Sequence, residues 1–326
     1  MSETSEQPFP TIENIVAENG VTTQKVSFPH GGHQVVGILS VPADFDGSKR
    51  YPAIVATHPF GGVKEQTAGQ YAARVAAYGF ITLSYDASHY GESGGEPRLY
   101  EVPADRVEDI RCAVDYLSNH PQVDPERIGA LGICAGGGYT VAASASEHRI
   151  KAVATVSAFN VGSARREGVP RGLISAEARD RRLDEVGQAR TAEARGEEPR
   201  MFDFLPHDAD AIDENTPELY GEGYDYYRTP RAQQPTAPGM YVFSSLGKQM
   251  DFEAFERADM ISPRPLLMIA GSKADTMYFT EEAIAKAGEP KELHVIDGAT
   301  HIDLYDRPQF VPQVMQKLTD FYAKHL

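Results

Sequence analysis

The sequence predicts an α/β fold: a mostly parallel, twisted sheet flanked by helices. Short β-branched runs alternate with stretches of helical periodicity along most of the 326 residues. Apolar residues make up 41% of the chain and charged ones 24%, enough for a large core and too apolar for general disorder. The alternation breaks once, for about a hundred residues, and then resumes.

Residues 24–28 and 34–41 read as two opening strands. Their half-polar alternation, with Gly31-Gly32 between them, suggests an antiparallel hairpin. An apolar strand at 52–58 runs into the turn His58-Pro59-Phe60-Gly61-Gly62, and a helix follows over 65–78. Then come a strand at 80–85, a helix at 104–118, a strand at 127–133, a helix at 135–146 and a strand at 150–156. Beyond the gap the pattern gives a strand at 265–270, a helix at 281–287, a strand at 292–296 and a last helix at 310–325. The expected organisation is an N-terminal arm (1–20), a core (21–162 and 261–326) and a cap or lid inserted at 163–260.

The insertion is the one shift in composition. Between Arg165 and Arg200 there are 17 charges, nine basic and eight acidic. They read as a solvated helix laced with ion pairs, the alternative being a charge-recognition surface. An aromatic, turn-rich stretch follows. Its Tyr224, Tyr226 and Tyr227, with apolar faces and polar tips, are candidates to grip a substrate, or else pack the insertion's own small core.

Charge and length exclude several function classes. Asp and Glu number 47 against 31 Lys and Arg, a net charge of −16 that repels nucleic-acid backbones and anionic lipid. No apolar run approaches the ~18 residues of a membrane span. The acidic start, Met-Ser-Glu-Thr-Ser-Glu-Gln-Pro, lacks the features of a secretion signal. Cys112 and Cys134 cannot make a disulfide framework, and free thiols suit a cytoplasmic location.

The segment that carries chemistry is Gly132-Ile133-Cys134-Ala135-Gly136, between a predicted strand and a predicted helix. It is a nucleophile elbow with Cys in the place of Ser. A strained strand-to-helix turn needs near-absent side chains two positions either side, and both are glycine. The turn puts the thiol at a helix N-terminus, where the dipole favours thiolate, so Cys134 is expected to outstrip Cys112 in reactivity. The competing reading is a Gly-rich packing turn around an inert Cys. A nucleophile needs a base, and the base an orienting group, in the chain order nucleophile, acid, His. Asp275 follows the 265–270 strand and His301 follows the 292–296 strand, so both are expected on loops at the edge that carries Cys134. Asp297 and Asp303 are rivals for the acid. The oxyanion hole is expected from the backbone N–H of Ala135 and a second from Phe60 or Gly61. His58 and the Asp86–Gly95 turn read as structural, and Cys112 as core.

These motifs resemble those of the α/β-hydrolase superfamily. Within it the chain resembles the dienelactone-hydrolase-like group with a Cys nucleophile, and the branch that includes polyketide-transferase-like proteins. His58 to Thr67, Tyr90 to Pro97, the Cys134 elbow and Gly298-Ala299-Thr300-His301 carry the likeness. It implies an α/β-hydrolase fold and acyl-ester or thioester chemistry through a Cys134–His301–Asp275 triad, without metal or organic cofactor. The long insertion departs from the smaller dienelactone hydrolases, so their substrate-binding residues do not carry over.

A thioester acyl-enzyme allows hydrolysis or transfer of the acyl group to an acceptor. Hydrolysis is the first expectation, acyl transfer the second, and a non-catalytic binding module on the same fold the third. The expected partner is a small acyl substrate, with an acyl carrier protein or CoA thioester as candidate donor. A homodimer stays open, and neither nucleic acid nor membrane is expected.

Overall fold

The computed structural model describes residues 11–326. Helix α1 (Ile12–Asn19) precedes β1 (Thr22–His30) and β2 (His33–Val41), which form the antiparallel hairpin. Next come β3 (Tyr51–Thr57), α2 (Thr67–Ala76), β4 (Ile81–Tyr85), α3 (Pro103–Ser118), β5 (Val123–Ile133), α4 (Ala135–Ser144) and β6 (Ile150–Val156). A long excursion then holds α5 (Val161–Glu167), α6 (Ala176–Ala194), β7 (Met201–Asp203), α7 (Glu218–Arg228), β8 (Met240–Val242) and α8 (Leu246–Met250). The chain closes with β9 (Leu266–Gly271), α9 (Met277–Lys286), β10 (Lys291–Ile296), α10 (Asp303–Asp306) and α11 (Val311–His325).

Eight strands make one sheet in the order β1-β2-β4-β3-β5-β6-β9-β10. Only β2 runs against its neighbours; β4, β3, β5, β6, β9 and β10 are mutually parallel. From β3 the chain steps one way to β4 and later the other way through β5, β6, β9 and β10. Right-handed crossovers therefore send α2 to one face and α3 and α4 to the other. Such a reversal opens a crevice at the carboxyl ends of the strands, where open α/β sheets bind ligands. Here Thr57 at the end of β3 is paired with Gly132 near the end of β5, so the loops after the two strands flank that crevice.

Parallel strands covered on both faces should read as continuous apolar runs, and all five residues of β4 and all six of β9 are buried. Ile54, Leu83, Leu131, Val153, Leu267 and Leu318 belong to a single core that reaches from the sheet into the helices and into the excursion after β6.

Several elements differ from the sequence expectation. The described part of the 1–20 arm is helix α1, capped by Thr11 and Asn14; its Ile12 and Ile15 are buried against Ala73 of α2. The rest of that arm, residues 1–10, lies outside the described residues. Strand β5 begins at Val123 because Val123 pairs with Tyr51, and α9 begins a turn early at Met277. Within 163–260, β7 and β8 form an antiparallel ribbon, too short for periodicity to reveal. Helix α6 buries only Val186, as a solvated charged helix should. No helix among the described residues is long and apolar enough to cross a membrane.

Candidate active site

Cys134 stands between β5 and α4 with φ 55° and ψ −124°, a left-handed backbone that a β-carbon normally resists. The turn is held from three sides. Cys134 N–H donates to Val156 O, and Cys134 O accepts from the N–H of Gly137 and of Phe159, at 2.9–3.0 Å. The flanking glycines are steric necessities. A β-carbon on Gly132 would sit 2.3 Å from Gly136 O, and one on Gly136 would sit 2.3 Å from Thr57 O. The Gly-x-Cys-x-Gly spacing is thus the spacing at which backbones pass one another.

The sulfur faces three donors: the backbone N–H of Ala135, the backbone N–H of Phe60 and the Tyr305 hydroxyl. Each favours a thiolate, but burial outweighs them and pushes the thiol up from its ordinary value. Cys134 is only 7% exposed. The dipole argument therefore loses to desolvation at this site. Cys112 is also pushed up, to about 11, by burial and then by Glu108 and Asp109. Gly61, the other oxyanion candidate, takes φ 64° to make the turn after Phe60, and a β-carbon there would sit 2.6 Å from the Phe204 ring.

His301 emerges after β10 at the same edge and is 1% exposed. Its carbonyl accepts from Ser157 Oγ at 3.0 Å, tying its loop to the end of β6. Burial pushes the imidazole down to about 3, so it is neutral at pH 7. Its Nε2 lies 3.3 Å from the Tyr305 hydroxyl, and its Nδ1 lies 2.6 Å from Thr276 Oγ1. Asp275 is not at Nδ1. Its Oδ2 accepts from Leu219 N–H at 3.1 Å, its buried Oδ1 has no partner among the described residues, and burial raises the carboxyl. The rivals are committed elsewhere: Asp297 accepts from Ser272 and Asp303 from Thr300. Thr276 and Tyr305 are the residues that sequence reasoning missed. Tyr305 carried a usable signal, since it lies four residues after His301 across a helical turn.

Cys134 opens into a narrow cleft with about 50 Å³ of free space. Phe204, Leu205, Leu219, Tyr220 and Tyr227 of the excursion contribute to its wall. Of the three tyrosines expected there, Tyr227 lines the cleft; Tyr226 packs behind it, its ring 4.8 Å from that of Tyr227 and 5.1 Å from that of Tyr305. Tyr224 is absent from the lining, whereas Tyr220 belongs to it. Glu222 of α7 accepts from the Thr300 hydroxyl at 2.9 Å. Burial pushes its carboxyl up to about 7 against that hydrogen bond, with Asp303 and Glu218 adding to the rise.

Two further groups buttress the site. Asp86 accepts from the N–H of Lys64 and of Glu92, each at 2.8 Å, tying the loop after β4 to the loop after β3. The carboxylates of Glu65, Asp86 and Glu92 come together as metal ligands would, but Lys64 Nζ sits among them and supplies the positive charge. His58 is fully buried, with Nδ1 against Pro59 O at 2.7 Å and Nε2 accepting from Ala87 N–H at 3.0 Å, a structural role.

Known proteins show the same arrangement of chain. The model of the dienelactone hydrolase family matches residues 38–164. The Escherichia coli protein YcjY is 40% identical over 307 residues, covering 93% of this chain and 99% of its own. The crystal structure of PA2218 from Pseudomonas aeruginosa superposes with a TM-score of 0.89 at 35% identity, covering 100% of this chain and 98% of that one. The Aspergillus calidoustus acyltransferase drtE is 27% identical over 310 residues, covering 92% of this chain and 96% of its own.

Proposed function

The chain belongs to the dienelactone hydrolase family of α/β-hydrolases, and we propose that it hydrolyses acyl esters or thioesters through a covalent acyl-enzyme on Cys134. The observation that carries this reading is the convergence on one buried sulfur: a strained elbow at φ 55°, and two backbone N–H groups from different loops facing the same point. Those N–H groups, of Ala135 and Phe60, are what the oxyanion of a tetrahedral intermediate would meet.

In this mechanism thiol and imidazole both start neutral. With the Tyr305 O–H turned from the sulfur to His301 Nε2, Sγ attacks the acyl carbon while the thiol proton passes to the Tyr305 oxygen and the Tyr305 proton passes to Nε2. Charge thus separates only as the bond forms. Thr276 fixes the ring through Nδ1, the position that chain order had reserved for Asp275. Collapse of the intermediate expels the alcohol or thiol, which takes the proton back from His301 by the same path. The Cys134 thioester then yields to water, activated by His301.

Acyl transfer is the second reading. A thioester is readily intercepted by thiols and amines, and drtE is named an acyltransferase. An acyl-CoA or carrier-bound thioester would serve as donor. Turnover of activated esters and thioesters, with and without added thiol or amine acceptors, separates the two. Hydrolysis predicts free acid at a rate indifferent to acceptor; transfer predicts acceptor-dependent product. Cys134→Ala should abolish both, by at least a thousandfold, and full activity in that variant would overturn the reading.

A further inference from the structure

The cleft above Cys134 is lined by apolar and aromatic groups with one charged exception, Arg165 of α5. Its guanidinium lies over the rings of Phe60 and Tyr241, 4.5 and 5.2 Å from their centroids. Its Nε donates to Gln249 Oε1 at 2.9 Å, a neutral partner. Among the described residues no carboxylate pairs with it. The same holds for Arg182 of α6, which lies 5.9 Å over the ring of Phe202, itself packed on Tyr241. Both cations are near enough to act on Tyr220 and Tyr241. Asp275, whose charge also reaches Tyr220, is held by Leu219 N–H and pairs with neither arginine.

Several neighbouring arginines behave differently, and Arg181, Arg190 and Arg195, which also lack a carboxylate among the described residues, are exposed to solvent instead. Arg166 pairs with Glu253, Arg171 with Glu167 and Glu282, and Arg200 with Glu185. A chain with 47 acidic residues against 31 basic ones has carboxylates to spare. Two guanidiniums left without one, stacked on aromatics beside the nucleophile's cleft, are cations kept for something that arrives from outside. Stacking fixes the plane of a guanidinium and leaves its outer N–H groups as a fork suited to carboxylate or phosphate.

We propose that Arg165, supported by Arg182, is a subsite for an anionic group on the acyl substrate, so that the enzyme selects esters or thioesters bearing a carboxylate or phosphate remote from the scissile carbonyl. This rests on the acyl chemistry proposed above only for the position of the reacting end. The anion can belong to the acyl chain, as a carboxylate, or to the leaving group, as the phosphate of a CoA thioester.

The test measures binding to the Cys134→Ala protein by calorimetry, which needs no turnover. One arm compares N-butylglutaramic acid with its uncharged primary amide. The other compares butyryl-CoA with S-butyryl-N-acetylcysteamine. The proposal expects the anionic member of at least one pair to bind tenfold or more tighter, with the advantage cut below threefold by Arg165→Met and partly kept by Arg165→Lys. An advantage in the first pair alone assigns a carboxylate; in the second alone, a phosphate. Equal affinities within both pairs would overturn the subsite, as would an advantage that survives the Arg165→Met, Arg182→Met double variant. Should those variants misfold, the unmodified arginines still give a readout: raising the salt from 50 to 500 mM must erode the advantage, and an unchanged advantage refutes it. Failure to form an acyl-enzyme in the native protein would count against the proposed reaction and leave this subsite standing.

Discussion

The two sides of the cleft are built by different means. On the Cys134 side, position is set by backbone: a positive φ at Cys134, glycines whose β-carbons would collide with main chain, and N–H donors from Ala135 and Phe60. On the His301 side, position is set by side chains: Thr276 and Tyr305 hold the His301 ring, and Glu222 reaches from α7 to the loop that carries it. Backbone geometry restricts residue types strongly and locally. Side-chain partnerships depend on rotamers and on what packs across from them, so a shift of one residue can change the partner.

The largest expected effects break the His301 side outright. His301→Ala should lower kcat by a hundredfold to ten-thousandfold while the protein stays folded. Thr276→Val should follow, at about ten- to a hundredfold, because Nδ1 loses the hydrogen bond that fixes the ring. Asp275→Asn should cost only a few-fold, since that carboxylate is hydrogen-bonded to Leu219 N–H rather than to His301. Steady-state kinetics with melting temperatures decide the order. A severe loss in Asp275→Asn with near-normal Thr276→Val would return the orienting role to the acid.

The meeting of Cys134 and His301 at one edge of the sheet was legible because Gly132, Gly136 and the strand-end loops have physical signatures that survive without coordinates. The hairpin, the parallel strands and their helices were legible for the same reason, as apolar periodicity. The partner of His301 was not, because Asp275 and Thr276 are adjacent, and only the folded contacts show Asp275 accepting from Leu219 N–H while Thr276 meets the ring. The thiol's acidity was misjudged: a helix N-terminus is visible in a sequence, whereas burial is a property of everything folded over it. The excursion after β6 was legible as charged and aromatic. Its ribbon and the stacking of Arg165 and Arg182 on aromatic rings depend on contacts between segments far apart in the chain.

A smaller effect sharpens the contrast through pH. Glu222 has a folded pKa of about 7, above the 4.5 of a free glutamate. The folded state therefore holds a proton that the unfolded state has lost between those values. Its contribution to stability is full below pH 4.5 and falls away as pH rises to 7. Glu222→Gln removes that titration, so relative to the parent it should be more stable at pH 8 than at pH 5, by on the order of 1–2 kcal/mol once solvent screening is allowed for. Chemical denaturation at the two pH values checks this, and an unchanged difference would mean the carboxyl titrates normally.

The central claim is that Cys134 carries the acyl group, and peptide mapping of the rapidly quenched enzyme tests it most directly. Mixed with an activated acyl ester and stopped in acid, the protein should gain one acyl mass, on the peptide bearing Cys134, released by hydroxylamine at neutral pH as a thioester is. Cys112 should stay unmodified. Turnover with no acyl on Cys134, or with the acyl on Cys112 or a serine, would contradict the account.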